Sequence, residues 1–428
     1  MSKKKAVRVV SILWACSLLS AGFAFMTQLA LARILEPENF GVFISALMMV
    51  MMFAPLAGFG IPQFWLKVFG KEGWNATRWL SPSFIFIVYS TMFVLIIIAT
   101  WAMIGPHDQL LRNLLLILSL YVLGHISVEL ISAKFQLEES YIYFALWQIV
   151  PNLIRFIAVV ILYYSFAGWM VIQNLAIVYS VIAVMLFLIA CMQLNSMKRS
   201  TFQLKGHGID DGAMEGEVLT PTVKATMSQS WPFGLAGLFV FIYMQSDIIL
   251  INYITGSKEA GQYSVAFSIM SAVYLFPAVI YQKFLLPKIH RWANHDREKF
   301  FQVYRQGNKV MVFTGVIAMI VVYFFSDWGI PFLYGQEYSE AVIFLKILAL
   351  CIPVYFLASS IGATLVTQNH MKIKVKYMGV VAIINLLLNV VFIPGYGAVG
   401  AAIATVLSNV ILLSIYYVAF RKHVYKER

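Results

Sequence analysis

Charge is what this sequence has least of. Asp, Glu, Lys and Arg together make up 12% of the 428 residues, against 61% hydrophobic residues and a mean hydropathy of +0.81. Soluble domains carry about 25% charged residues, so a water-soluble fold is excluded and the chain reads as an integral membrane protein. Cysteine is scarce too, and Cys16, Cys191 and Cys351 all fall inside apolar runs. That pattern provides neither a disulfide framework nor a metal cluster. Also missing are a Gly-rich phosphate loop, a nucleophile with a base and an orienter, and paired carboxylates at a water-accessible position, which excludes the common enzyme classes. His290 and His295 lack the His-Glu-x-x-His spacing of a metal helix and read as surface residues.

What the chain does have is length in its apolar runs. A spanning helix needs about 20 mostly apolar residues. Twelve such segments are predicted, near 9–33, 40–62, 82–104, 109–133, 142–164, 169–193, 229–255, 260–282, 308–327, 339–366, 374–394 and 397–420. Barrel strands would alternate over about 10 residues, so the class is all-α. The apolar run after the basic N-terminus is too long for a signal peptide and shows no small-residue cleavage site, so it reads as a retained first helix.

Acidic residues number 19 against 31 basic, a net charge of +12. Most of the Lys and Arg lie at the N-terminus, in even-numbered connections and at the C-terminus, and both termini are therefore expected to be cytoplasmic. The basic surplus rims a membrane and contacts anionic lipid headgroups, so no nucleic-acid partner is needed. The expected outward loop at 326–340 carries Asp327, Glu337 and Glu340 and no Lys or Arg. Asn75-Ala76-Thr77 matches a glycosylation sequon on the expected cytoplasmic side and carries no meaning there.

Residues 34–46 (ILEPENFGVFISA) recur at 254–266 (ITGSKEAGQYSVA), with Ile34/Ile254, Gly41/Gly261, Phe43/Tyr263 and Ala46/Ala266 in step. A six-segment unit thus occurs twice, as in transporters built from repeats. The hydrophilic stretch 195–228 is the expected crossover, and its Asp210 and Asp211 read as solvated linker charges. Two six-helix bundles at 1–194 and 229–428, related by a pseudo-two-fold axis along the membrane normal, are the predicted architecture.

A few basic residues fall outside the cytoplasmic set: Arg33, Arg112, Arg155, Lys258 and Lys346. Lys258 lies in a loop, and Arg33 and Arg112 sit at span ends, where long side chains snorkel. Arg155 lies about 20 Å into a core about 30 Å thick. A charge there costs about 2.5–3.5 kcal/mol on insertion scales, so it is expected to face the bundle interior or water. Gln148 and Asn152 share its helical face and Pro151 interrupts the backbone beside them. Lys346 lies about 10 Å below the outer surface. Asp247 and Glu129, the latter one turn from His125, are the acidic counterparts: either they neutralise the basic residues across helices, or they are candidate carriers for proton or sodium coupling. No other cofactor is implied.

Residues 32–41 (ARILEPENFG) with Gly58-Phe59-Gly60, Asp247 ahead of 261–266 (GQYSVA), Tyr334-Gly335 before Tyr338 and Ala341, and Ile393-Pro394 leading to 397–405 (GAVGAAIAT) resemble the O-antigen-type polysaccharide flippases of the multidrug/oligosaccharidyl-lipid/polysaccharide exporter superfamily. Glu36 stands where that family often has Gly. The resemblance implies alternating access that moves an undecaprenyl-pyrophosphate-linked oligosaccharide from the cytoplasmic to the periplasmic leaflet of a bacterial inner membrane, alongside polysaccharide polymerase machinery. Its cationic cavity carries over to Arg155, Lys346, Arg33 and Arg112. Asn385 and Asn389 are candidate sugar contacts or packing residues. One alternative is a drug or cation antiporter of the same fold, which would prefer acidic cavity residues. Another is a membrane glycan polymerase or ligase, which would need a larger outward loop.

Overall fold

The computed structural model describes residues 3–165, 171–199, 202–204, 220–285, 289, 292, 297–365 and 371–425. Asp210, Asp211, His290 and His295 lie outside them. Every regular element among the described residues is helical, in agreement with the all-α reading. In chain order the helices are α1 (Lys3–Phe53), α2 (Ile61–Glu72), α3 (Leu80–Ile104), α4 (Gln109–Leu118), α5 (Tyr121–Leu137), α6 (Tyr141–Ser165), α7 (Ile172–Lys198), α8 (Val223–Ile254) and α9 (Ser257–Ala278). They continue as α10 (Arg297–Tyr334), α11 (Ala341–Ala349), α12 (Cys351–Thr364) and α13 (Met371–Ala419).

Eight helical stretches among the described residues are long and apolar enough to cross a membrane, or nine if α11 and α12, bent by 44°, count as one span. Two of the stretches, 94 residues at Ser11–Ile104 and 48 at Val375–Lys422, far exceed one span. Breaks divide them. Inside α1 Glu36 leaves the helical region at φ 62, ψ 166, and inside α13 Gly397 does so at φ 57, ψ −141. The break in α1 follows from Pro37, whose ring pushes the preceding residue out of the helical conformation.

Helices apolar on every side are lipid-facing. α3 exposes Tyr89, Phe93 and Ile96 while burying Val94 and Ile98. By contrast α10 extends beyond both predicted bounds of its span. The outward loop expected from 326 begins only at Gly335, and Asp327 is a helical residue.

Two compact units are present: Met1–Thr27 with Ala46–Leu238, and Gln28–Ser45 with Phe239–Arg428. In the first, α5 packs against α2, α6 and α7. In the second, α12 packs against α10 and α13, and α9 packs against α11. The turn at Glu36 belongs to the second unit. There Arg33 donates from Nε and Nη2 to the carbonyls of Leu333 and Phe332, at the C-terminal end of α10, and Tyr338 donates its hydroxyl to the Ala32 carbonyl at 2.8 Å. A cation on the last carbonyls of a helix is favourable because those groups have no intrahelical partner.

The sequence repeat has a physical counterpart inside this second unit. A Cβ placed on Gly41 would lie 1.7 Å from the Ser257 carbonyl oxygen, and one placed on Gly261 would lie 2.1 Å from that of Pro37. Pro37 and Ser257 occupy the same position of the repeat, as do Gly41 and Gly261, so the two copies meet reciprocally, backbone against backbone. The repeat also aligns Glu36 with Gly256, which adopts φ 111, ψ 170 just before α9. Glycine occupies that region freely, whereas a side chain there costs about 1–3 kcal/mol.

Two outcomes follow for thermal unfolding in detergent. Glu36→Gly is expected to raise stability by about 1 kcal/mol through relief of that strain, and an unchanged or lowered midpoint would count against it. Gly41→Val is expected to lower stability by about 3 kcal/mol or more, because no side chain can yield in a backbone-to-backbone contact.

Candidate functional site

Arg155 sits on α6 in the first unit, half-buried beside two aromatic rings. Its Cζ lies 4.7 Å from the Tyr121 ring centroid on α5 and 5.6 Å from that of Tyr179 on α7. Those rings are themselves stacked, 6.3 Å apart at 26°. Cation–π contacts of this kind contribute about 0.5–2 kcal/mol, more as water is removed. Nη1 donates to Asn152 Oδ1 at 3.3 Å, while Nε is buried with no hydrogen-bond partner among the described residues. No carboxylate lies within salt-bridge distance of the guanidinium among them. The alternative in which acids neutralise Arg155 therefore does not describe this site.

The local backbone explains the position. Pro151 lacks the N–H that would bond the Trp147 carbonyl and so loosens this turn of α6. At the next carbonyl, that of Gln148, Ser20 donates its hydroxyl at 2.7 Å, and Asn152 Nδ2 donates to Ser20 Oγ at 2.9 Å. Asn152 thus bridges α1 to the guanidinium. Gln148 joins the site through its main chain.

Down α5 from Tyr121, His125 and Glu129 follow at four-residue spacing, on one face of the helix. His125 is close enough to feel the Arg155 charge, and Glu129 accepts from Gln63 Nε2 on α2 at 3.4 Å. His125 and Glu129 are half-buried, and Gln63 is exposed. Arg112, on α4, lies apart from this row. Its Nε is buried without a hydrogen-bond partner among the described residues, beside an N-terminus capped by Asp108. In the loop before it, burial holds His107 below the ordinary histidine range, against a hydrogen bond involving the Trp101 backbone, and the Arg112 charge acts in the same direction as burial.

The second unit gathers the other acid. Asp247 on α8 is 1% exposed and accepts from Tyr263 Oη at 2.8 Å, from Asn389 Nδ2 at 2.7 Å and from Thr405 Oγ1. Asn389 also donates to Asn385 Oδ1, which accepts from Ser246 as well, and Asn385 Nδ2 donates to Ser408. Both asparagines are 0% exposed, so of the two roles weighed for them the packing role is the one this arrangement fulfils. Neutral donors from α9 and both arms of α13 surround the carboxylate, and no cation touches it among the described residues. Lys346, a candidate cavity cation, bonds Asp327 at 2.7 Å and lies 5.2 Å from the Tyr323 ring. Arg33 is committed to the end of α10.

Sequence reasoning missed Tyr121, Tyr179, Ser20 and Gln63 around the cationic site and Tyr263 and Thr405 around Asp247. Tyr121 had a signal, one turn before His125 just as Glu129 is one turn after. Tyr263 had another, as the hydroxyl-bearing member of the Phe43/Tyr263 pair.

A family model described as polysaccharide biosynthesis protein matches residues 6–292, more than half of the chain. The chain belongs to this polysaccharide biosynthesis protein family. A second model, MatE, matches residues 232–391. Among relatives, the capsular polysaccharide biosynthesis protein CapF of Staphylococcus aureus is 22% identical over 97% of this chain and 99% of its own length. The probable low-salt glycan biosynthesis flippase Agl15 of Haloferax volcanii is 24% identical over 42% of this chain, and the probable flippase AglR of the same organism 29% over 44%. Those two matches span 39% and 41% of the archaeal proteins' lengths. Among solved structures, the lipid II flippase MurJ in an inward closed conformation superposes with a TM-score of 0.72 at 14% identity, covering 96% of this chain and 87% of that one. An inward-facing multidrug resistance MATE family transporter of the MOP superfamily gives 0.67 at 14% identity, over 98% of both chains. This member of the polysaccharide biosynthesis family therefore has the fold of multi-pass α-helical membrane transporters.

The two polar sites should differ in their weight on stability. Asn389→Ala is expected to cost about 1–3 kcal/mol by stripping a donor from a buried carboxylate, read as a lowered unfolding midpoint. Lys346→Met removes a surface pair and should cost less than about 1 kcal/mol. A reversed order would overturn the burial assignments.

Proposed function

We propose that this protein is a flippase that carries a polyprenyl-pyrophosphate-linked oligosaccharide from the cytoplasmic to the outer leaflet by alternating access, for synthesis of a surface polysaccharide of the O-antigen type. The observation that carries the reading is the Arg155 guanidinium, set against the rings of Tyr121 and Tyr179 with no carboxylate within salt-bridge distance among the described residues. The obstacle in such transport is the diphosphate and the sugar hydroxyls, since the lipid tail never leaves hydrocarbon. A guanidinium binds phosphate oxygens through paired N–H donors and stays charged when desolvated. The two tyrosine rings stabilise the charge, and Nε, without a hydrogen-bond partner among the described residues, is the donor proposed for the ligand. The transport names of Agl15 and AglR support the same reading, and CapF, similar over nearly its whole length, is named for capsular polysaccharide.

The finer architecture belongs to the same proposal: twelve spans in two six-helix bundles at 1–194 and 229–428, joined by the linker at 195–228, in a bacterial inner membrane with both termini cytoplasmic. Counting the breaks at Glu36 and Gly397 as turns brings the helical stretches towards that number. An anion leaving a negative interior gains about 2.3 kcal/mol per charge per 100 mV, so the membrane potential drives export of a diphosphate. Asp247, enclosed in the second unit, is the proposed coupling carboxylate if an ion is used. Glu129 is the other candidate. A drug or cation antiporter is disfavoured because the deep ionised group of the first unit is basic.

Arg155→Ala is expected to abolish surface glycan and trap the lipid-linked oligosaccharide on the cytoplasmic leaflet, with protein abundance in the membrane unchanged. Arg155→Lys should restore part of the transport, since it keeps the charge and loses the paired donors. Normal surface glycan with Arg155→Ala would refute the role.

A further inference from the structure

We infer that Gln63, His125 and Glu129 form a sugar subsite adjoining Arg155, and that its carboxylate selects a neutral or amino sugar, against an acidic one, at the second position from the diphosphate. The inference rests on the flippase reading and adds the substrate class to it. Tyr121, His125 and Glu129 stand one turn apart on one face of α5, at steps of about 6 Å. That step is close to the length of one hexose ring with its glycosidic bond. With a diphosphate at Arg155, level with Tyr121, a first sugar lies over His125 and a second reaches Glu129 and Gln63.

The residue types suit that ligand. Glu129 is held by a long bond of 3.4 Å from Gln63, leaving most of its acceptor capacity open to hydroxyl donors. The Gln63 amide is exposed and offers both a donor and an acceptor. His125 lies within reach of the Arg155 charge and is half-buried. Such a row of polar groups along a spanning helix is disfavoured against acyl chains and faces the bundle interior or water, and the exposure of Gln63 leaves this one accessible to a ligand. A carboxylate at the second step repels the carboxylate of a uronic acid there, and accepts from the hydroxyls of a neutral sugar or the ammonium of an amino sugar.

The test uses the full chain in lipid nanodiscs with three synthetic probes: bare polyprenyl pyrophosphate, and two polyprenyl-pyrophosphate disaccharides that share the first sugar and end in galactose or galacturonate. Wild-type protein is expected to bind the galactose probe at least tenfold more tightly than the galacturonate probe. Glu129→Gln, which keeps the side-chain shape, should bring the two within about twofold while leaving binding of the bare diphosphate unchanged, and Gln63→Ala should weaken the galactose probe alone. Equal wild-type affinity for both disaccharides, or a preference that survives Glu129→Gln, overturns the subsite and leaves the diphosphate site standing. Failure of wild-type protein to bind bare polyprenyl pyrophosphate overturns the reading at Arg155 and the subsite with it.

Discussion

A cation deep in a spanning helix must be paired, wetted or given a ligand, and among the described residues Arg155 has no acid within salt-bridge distance. Its positive charge is shared with two tyrosine faces and one asparagine oxygen, and its Nε remains without a protein partner among the described residues. Such an arrangement is tolerable only where water or an anion supplies the rest. Both tyrosine rings lie within cation–π distance of the guanidinium, which stabilises the charge where no acid is paired with it among the described residues.

The second unit solves the opposite problem with the opposite sign. Asp247 is a buried carboxylate with three neutral donors, drawn from helices that are far apart in sequence. Removing any donor exposes the cost of an incompletely satisfied charge. The same unit contains the reciprocal Gly41/Gly261 contact, where two copies of one sequence element approach so closely that neither can carry a Cβ. Strain at Glu36, beside that contact, marks where the first copy departs from the glycine of the second.

Much of this was readable in the residues. Apolar run lengths specify helices, the recurrence of 34–46 at 254–266 points to two segments that meet backbone to backbone, and the depth of Arg155 singles it out as the candidate site. What the sequence did not disclose lies in contacts across chain distance. Nothing local in Lys346 announces its bond to Asp327, because the helix carrying Asp327 runs one turn and more past its apolar stretch. Arg33 looks like a membrane anchor until its partners are seen to be the carbonyls ending α10. Asn385 and Asn389 share a helical face that fits a sugar or a core equally well, and only the position of Asp247 decides between them. Tyr179 is one aromatic residue among many in an apolar helix, distinguished only by what stands opposite.

The most direct measurement is the ³¹P spectrum of bare polyprenyl pyrophosphate bound to the protein in nanodiscs, compared between wild type and Arg155→Gln. A diphosphate resonance that shifts with wild-type protein and stays at its free position with Arg155→Gln is the expected result. The same shifted resonance with both proteins would contradict a diphosphate held by this guanidinium.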